Sequence, residues 1–380
     1  MRIVAAELHL VPKYSWMPYD RRNERRREYL RVLNDLLEIA GKERANAVVL
    51  PGDIFDGNTP TYPVLIEFGK MIKELHNRGI DVLAVPGNHD RYREEGRRGP
   101  LDLMAEITQM KLLHSDSLLR GDRIPFIHYQ EENRMLAFCG IGFLPMMAGR
   151  NPMQLLPSTP PGGADKHYLI THYTFTGFSP YVPNEPIAGH PPRWVDFIIA
   201  GHVHKRAFIL GERGIYTGLA ERIGFGEENE RVGFALIDLP EGEVNYIDRE
   251  SRPFRSVEVA MPRDGNLTEF LLNRMRDLSG GIEREAIVRL ILRGKVPEDV
   301  RDTLNIRRVL EEASSLFFAV DIETRDLETD VIIYRPSEKL EPEKMLRDIA
   351  EELKKGRDPE KVEKAVKLIL EVMESEAHKP

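Results

Sequence analysis

The chain has 380 residues, of which 41% are hydrophobic and 31% charged, the proportions of a soluble globular protein with room for two or three domains. Its net charge of −8 and single cysteine rule out an intrachain disulfide and any nucleic-acid binding driven by overall charge, leaving only a local basic patch for that purpose. No run is apolar enough to span a membrane, and Met1 leads directly into a strand rather than a signal peptide, so a reducing, cytoplasmic setting is expected.

Along the chain, Ile3 to Ala6 reads as a strand, and Asn23 to about Lys42 as a helix with Leu30, Leu33, Leu37 and Ala40 near helical spacing. Ala47 to Leu50 is a buried-type strand. Thr61 to about Asn77 is a second helix carrying Leu65, Phe68, Ile72 and Leu75, with Gly79 as its stop. Asp81 to Val85 is the next strand, and Pro100 opens a short helix to about Thr108. Strand signals then dominate: Met135 to Phe143, Tyr168 to Thr171, Phe197 to Ala200, Ala207 to Leu210 and Gly233 to Leu239. A βαβ start followed by a strand-rich half predicts an α/β (α+β) domain over residues 1–250, with two packed sheets flanked by helices. Residues 251–335 predict a small α/β domain: strands at Val257 to Val259, Ala286 to Leu292 and Phe317 to Ile322, and helices at Leu267 to Leu278 and Asp302 to Ser314. Residues 336–380 hold the rest of a linker (Tyr334 to Lys339) and two short amphipathic helices. One carries Leu346, Ile349, Ala350 and Leu353, the other Val362, Val366, Ile369 and Met373. Between them Gly356 stops the first helix, Asp358 caps the second and Pro359 is its first residue.

Five clusters of metal-ligand residue types stand where strands end. They are Glu7-Leu8-His9, Gly52-Asp53-Ile54-Phe55-Asp56, Gly87-Asn88-His89-Asp90, His172, and Gly201-His202-Val203-His204. Side chains at the carboxyl ends of neighbouring strands converge on one crevice. Carboxylate, imidazole and amide oxygen together suit manganese, iron or zinc better than calcium. Two metal ions a few ångströms apart hold the attacking and leaving oxygens of a phosphoryl transfer. Asp53 is the natural bridge between them, Asn88 ligates without adding charge, and His172, His202 and His204 supply imidazoles. His202 and His204 share one side of an extended segment. His89 points elsewhere and is available as an acid or to hold a phosphate oxygen.

These five motifs, in this order, resemble those of the calcineurin-like metallophosphoesterases, and within that superfamily the Mre11/SbcD-type DNA repair nucleases. The run Ile198-Ile199-Ala200-Gly201-His202-Val203-His204-Lys205 is similar to the family's last motif, and Pro51-Gly52-Asp53-Ile54-Phe55-Asp56 precedes a helix as in that family. The resemblance implies a two-sheet sandwich, a capping domain at 251–335 and a C-terminal helical pair. It implies two Mn²⁺ per chain, with Mg²⁺, Fe²⁺ or Zn²⁺ as substitutes. Glu7, His9, Asp53 and His204 would hold one, and Asp53, Asn88, His172 and His202 the other. His89 would be the catalytic histidine, with Asp56 in support behind the ligands. The implied activity is exo- and endonucleolytic cleavage in DNA double-strand break repair, in a nucleoid-associated setting. The implied partners are DNA and a Rad50/SbcC-like ATPase bound through the C-terminal helices, in a homodimer formed by helices near Leu65 to Leu75 and Leu101 to Ile107. Where the family has Asp, this chain has Glu7, one methylene longer.

Two other readings stand beside this one. A small-phosphoester or nucleotide metallophosphoesterase would need neither the tail helices nor basic flanks, and a scaffold crippled at Glu7 would bind DNA and the ATPase without cutting. Arg21, Arg22, Arg25, Arg26, Arg27 and Arg31 form either a solvated helix face or a phosphate-contacting patch. Lys13 to Trp16 offers a stacking contact, and Arg91, Arg93, Arg97 and Arg98 a second basic run. His76, His114, His128, His167, His190 and His378 read as structural histidines, and Cys139 as a core residue.

Overall fold

Side-chain alternation along three short strands sets up the layers. Arg2–Ala5, Ala47–Leu50 and Asp81–Ala84 are buried almost throughout, as strands covered on both faces must be. Ile3, Ala5, Ala47, Val49 and Leu83 turn into one core, whereas Val4, Val48, Leu50, Val82 and Ala84 turn into another, because successive side chains point to opposite faces. This computed structural model describes the chain except for residues 92–97, 114–123, 148, 161, 180–184, 331–345, 347–348, 352–353, 355–358 and 377–380.

The first sheet runs Glu243–Asp248, Gly233–Asp238, Arg2–Ala5, Ala47–Leu50, Asp81–Ala84, Lys111–Leu112. Its last four strands are parallel. The second runs Ala207–Ile209, Gly214–Tyr216, Phe197–Gly201, Lys166–His172, Arg134–Ile141, Ile127–Glu131, parallel through its four central strands. Phe138, Tyr168, Ile170, Ile199 and Ile215 of the second sheet share a core with Ile3, Val49 and Leu83 of the first. The outer face of the first sheet is covered by helices α1 (Tyr19–Lys42), α2 (Tyr62–Asn77) and α3 (Pro100–Ile107). The expected two-sheet sandwich flanked by helices is therefore what this sequence forms.

Helix α1 begins four residues before the expected Asn23, since its first turn is polar and carries no apolar periodicity. Helix α2 ends at Asn77, and Gly79 follows at φ +74° as the expected stop. The edge strands Ile127–Glu131 and Glu243–Asp248 were not among the expected elements. Each is only half buried and pairs antiparallel with a neighbour.

Residues 254–330 build a third sheet in which Phe254–Ala260, Ile287–Pro297 and Ala319–Glu323 are parallel and Leu327–Asp330 pairs with the central strand. Helices Leu267–Leu278 and Ile306–Leu316 close its core through Leu271, Met275, Val309 and Ala313. A separate cluster, Tyr14, Met17, Tyr29, Phe254, Ile287 and Phe318, joins this sheet to α1. Residues Met1–Thr329 form one compact unit and Asp330–Pro380 a second. In the second, Pro359 opens the helix Pro359–Glu376 as expected, and Lys354 ties a preceding helical turn to Glu363 at 3.0 Å. The linker from Tyr334 to Lys339, Leu353, the caps Gly356 and Asp358, Arg93, Arg97, His114 and His378 lie outside the described residues. Among the described residues no helix is long and apolar enough to cross a membrane.

Candidate metal centre

The strands Arg2–Ala5, Ala47–Leu50 and Asp81–Ala84 run parallel, as do Lys166–His172 and Phe197–Gly201. Their carboxyl ends therefore open onto one rim, and the loops that follow stay tied. His9 N–H donates to Asp53 O at 2.8 Å and Leu10 N–H to Ile54 O at 2.8 Å, continuing the pairing beyond the strands. His9, Asp53 and His202 have φ of 43°, 46° and 86°, left-handed conformations that non-glycine residues hold only where surrounding structure compels them. Two glycines make the approach of the loops feasible. A Cβ at Gly52, itself at φ +100°, would lie 2.2 Å from His172 Nδ1, and one at Gly87 would lie 2.0 Å from Asp53 Oδ1.

Asp53 Oδ2 is the hinge of the geometry, 3.4 Å from His9 Nε2 and 3.2 Å from His172 Nε2. On one side Glu7 Oε1 stands 3.0 Å from His9 Nε2 and 3.7 Å from His204 Nε2. On the other, Asn88 Oδ1 is 3.0 Å from both His172 Nε2 and His202 Nδ1. Three groups, Glu7/His9/His204, His9/Asp53/His89 and Asp53/His172/His202, each bring ligand atoms within 4.8 Å of one another, the span of a metal-binding cluster. The donors are carboxylate, imidazole and amide oxygen, a set that fits first-row divalent ions.

Glu7 is fully buried, and its extra methylene has a use. Oε2 accepts a hydrogen bond from His202 N–H at 2.8 Å, joining the first motif to the last, while Oε1 faces the imidazoles. Asp56 stands behind His9, with Oδ1 3.3 Å from His9 Nδ1. His89 donates its backbone N–H to Asp53 Oδ1 at 2.8 Å, and its ring, 41% exposed, lies at the open edge with Nε2 4.0 Å from Asp53 Oδ2. Every residue expected at the site is brought to it.

Electrostatics separate two buried aspartates. Burial works to raise the Asp53 carboxyl, but the adjoining imidazoles of His172 and His9 outweigh it and hold the group well below the usual carboxylate range. Asp90 is pushed up to about 6 by burial and by the Asp53 charge. It accepts N–H bonds from Ile54, Phe55 and Gly87 at 3.2, 2.9 and 2.9 Å, stapling two motif loops together. His172 is lowered by burial and raised more strongly by Asp53, to about 9. His202 is lowered, first by burial. Asp90 thus has a structural part that its place in the third motif did not reveal. Two other acids were missed entirely: Glu185, with Oε1 3.1 Å from His202 Nε2, and Glu227, with Oε1 2.9 Å from His204 Nδ1. Neither lies in a motif.

The helix-face arginines divide. Arg25 is buried and paired with Glu28 and Glu221 at 2.6 and 2.9 Å, so it is a structural residue rather than a phosphate contact. Burial alone would lower its guanidinium, but Tyr29 and Glu221 raise it well above the ordinary value. Lys13, Arg22 and Arg26 line a cleft of about 410 Å³ beside Asp56.

The family model for calcineurin-like phosphoesterase matches residues 3–206, just over half of the chain. Among curated proteins, the chain is 24% identical over 212 residues to the DNA double-strand break repair protein Mre11 of Saccharolobus solfataricus, covering 56% of this chain and 52% of that one. It is 27% identical over 278 residues to the Mre11 of Haloferax volcanii, covering 72% and 57%. It is 23% identical over 308 residues to the uncharacterized metallophosphoesterase YhaO of Bacillus subtilis, covering 78% and 72%. The chain thus spans between half and about two thirds of the length of the first Mre11 relatives it matches. With the matched segment carrying all five motifs up to His204, the chain belongs to the calcineurin-like phosphoesterase family.

Proposed function

We propose that the protein is a two-metal phosphodiesterase acting on DNA, a nuclease of double-strand break repair. The observation that carries the hydrolytic reading is Asp53 Oδ2, within 3.4 Å of an imidazole nitrogen from each half-site, with His89 at the open edge. Divalent ions held there, Mn²⁺ as the family resemblance implies, with Mg²⁺, Fe²⁺ or Zn²⁺ as substitutes, would supply Lewis-acid stabilisation of the phosphoryl charge. Glu7, His9, Asp53 and His204 would hold one, and Asp53, Asn88, His172 and His202 the other. His89 hydrogen-bonds or protonates the departing oxygen, and Asp56 keeps the His9 ring in place.

Two observations favour DNA over a small phosphoester. Lys13, Arg22 and Arg26 have no carboxylate partner among the described residues, and they share their cleft with the exposed ring of Tyr19. In a chain of net charge −8, cations without a carboxylate partner beside a phosphoryl-transfer site suit a polyanion with stackable bases. The names of the Mre11 relatives agree. Residues 251–335 are assigned as the capping domain that limits which ends reach the cleft. Helices α2 and α3 expose Tyr62, Ile66, Leu103 and Ile107 around a shared groove, which suits pairing with a second copy in a homodimer. Leu368 and Ile369 on the last helix are exposed apolar residues suited to a Rad50/SbcC-like ATPase, and with it a nucleoid-associated place in the cell.

Parallel assays with Mn²⁺ on bis-p-nitrophenyl phosphate and on end-labelled duplex and single-stranded DNA test the assignment. Cleavage of both, with DNA cleavage falling as salt rises, is expected. Cleavage of the small diester alone would move the protein to the small-phosphoester class.

A further inference from the structure

A histidine can offer a metal only one ring nitrogen, and which one is free to ligate depends on what the other nitrogen donates to. Two of the four buried or half-buried imidazoles are settled by partners within the motif loops or strands. His172 Nδ1 faces the carbonyl of Pro51 at 2.7 Å, an acceptor only, which leaves Nε2 turned inward to Asp53 and Asn88. His9 Nδ1 faces Asp56, and its Nε2 turns inward to Glu7 and Asp53.

The last motif poses a harder problem. His202 and His204 are two residues apart, yet they serve opposite half-sites through different atoms. His202 turns Nδ1 inward, 3.0 Å from Asn88 Oδ1 and 3.2 Å from His172 Nε2. His204 turns Nε2 inward, 3.7 Å from Glu7 Oε1. They therefore need opposite tautomers. Behind each ring stands a glutamate from outside the motifs. Glu185, 6% exposed, meets His202 Nε2 at 3.1 Å with the same Oε1 that accepts the hydroxyl of Thr174. Glu227, in the short 3-10 turn Phe225–Glu227, meets His204 Nδ1 at 2.9 Å, and its buried Oε2 has no hydrogen-bond partner among the described residues. Each buried carboxylate thus stands against its imidazole at the ring nitrogen that faces away from the centre.

We propose that Glu185 and Glu227 are positioning residues that lock His202 as the Nε2–H tautomer and His204 as the Nδ1–H tautomer, one for each half of the metal centre. Two neighbouring histidines on one segment are thereby made to present different nitrogens. This rests on the metal-centre reading above. Outer partners of this kind, when removed, commonly cost about 10- to 100-fold in metal affinity.

The direct test needs no substitution. Imidazole ¹⁵N spectra of the full chain labelled at histidine, loaded with diamagnetic Zn²⁺, should show His202 protonated at Nε2 and His204 at Nδ1. The reverse tautomer at either residue overturns the proposal. The second test is equilibrium dialysis of Mn²⁺ with Glu185→Gln and Glu227→Gln, each first shown to be folded by circular dichroism, and with site occupancies read from anomalous diffraction. Glu227→Gln should weaken Mn²⁺ by about 10- to 100-fold beside Glu7, His9 and His204, and Glu185→Gln by a similar factor beside Asn88 and His172. Affinities within threefold of the parent in both variants, or equal loss at both half-sites from either one, would defeat it. If the unaltered protein binds no Mn²⁺ or Zn²⁺, the metal-centre reading itself fails instead.

Discussion

Glu7→Asp restores the residue the family carries, and the structure predicts that it harms this protein. Glu7 is fully buried, and its Oε2 accepts the His202 N–H at 2.8 Å. Removing one methylene withdraws the carboxylate by about 1.5 Å, one C–C bond. Unless the backbone follows, that hydrogen bond opens to about 4 Å and is lost. A buried N–H without a partner costs about 1–3 kcal/mol, and the missing methylene adds about 1 kcal/mol. For a unit of this size the metal-free protein should therefore melt about 3–6 °C lower. Thermal unfolding of parent and variant in EDTA measures this, and Mn²⁺-dependent cleavage by the same two samples accompanies it. The variant should be less stable and no more active. An unchanged or higher midpoint together with a gain in cleavage would instead make Glu7 a defect, as the scaffold reading holds.

Other outcomes follow from the same geometry. His172 has its pKa raised to about 9 in the metal-free site, so at pH 7 it carries a proton that a metal must displace. Mn²⁺ affinity should rise about tenfold per pH unit between pH 7 and 9, and calorimetry at pH 7 in buffers of different ionisation enthalpy should register proton release; affinity independent of pH would contradict this. Gly87→Ala drives a Cβ to 2.0 Å from Asp53 Oδ1 and 2.2 Å from Asp53 N, an overpacking that should cost about 3 kcal/mol in urea unfolding and lower Mn²⁺ stoichiometry. Arg25→Met strands part of a buried ion-pair network around Glu28 and Glu221. It should destabilise by about 3–5 kcal/mol yet leave the salt dependence of DNA binding unchanged, since Arg25 does not face solvent.

The candidate ligands were legible because each motif follows a strand whose apolar run is unmistakable, and parallel strands carry their carboxyl ends to one rim. Asp53, Asn88, His172 and His202 needed nothing more. Arg25 was harder. It precedes Tyr29 by one turn on the face that continues through Val32, Leu36 and Ala40, all buried, so the helical register held a signal that the run of arginines masked. Ile127–Glu131 alternates polar and apolar residues at a half-exposed edge, where hydrophobicity marks nothing. Glu185 and Glu227 left no local trace. Glu185 lies in irregular chain and Glu227 at the end of a single 3-10 turn beside Glu228 and Glu230, and only the tertiary fold brings either behind a histidine.

Metal-dependent cleavage of DNA at the Asp53 centre is measured by incubating the protein with end-labelled duplex and single-stranded DNA, with Mn²⁺ and then with EDTA, beside the Asp53→Ala, His89→Ala double variant. Degradation that requires both Mn²⁺ and the intact site is expected. DNA left whole by the parent protein, or degraded equally by the double variant, would contradict it.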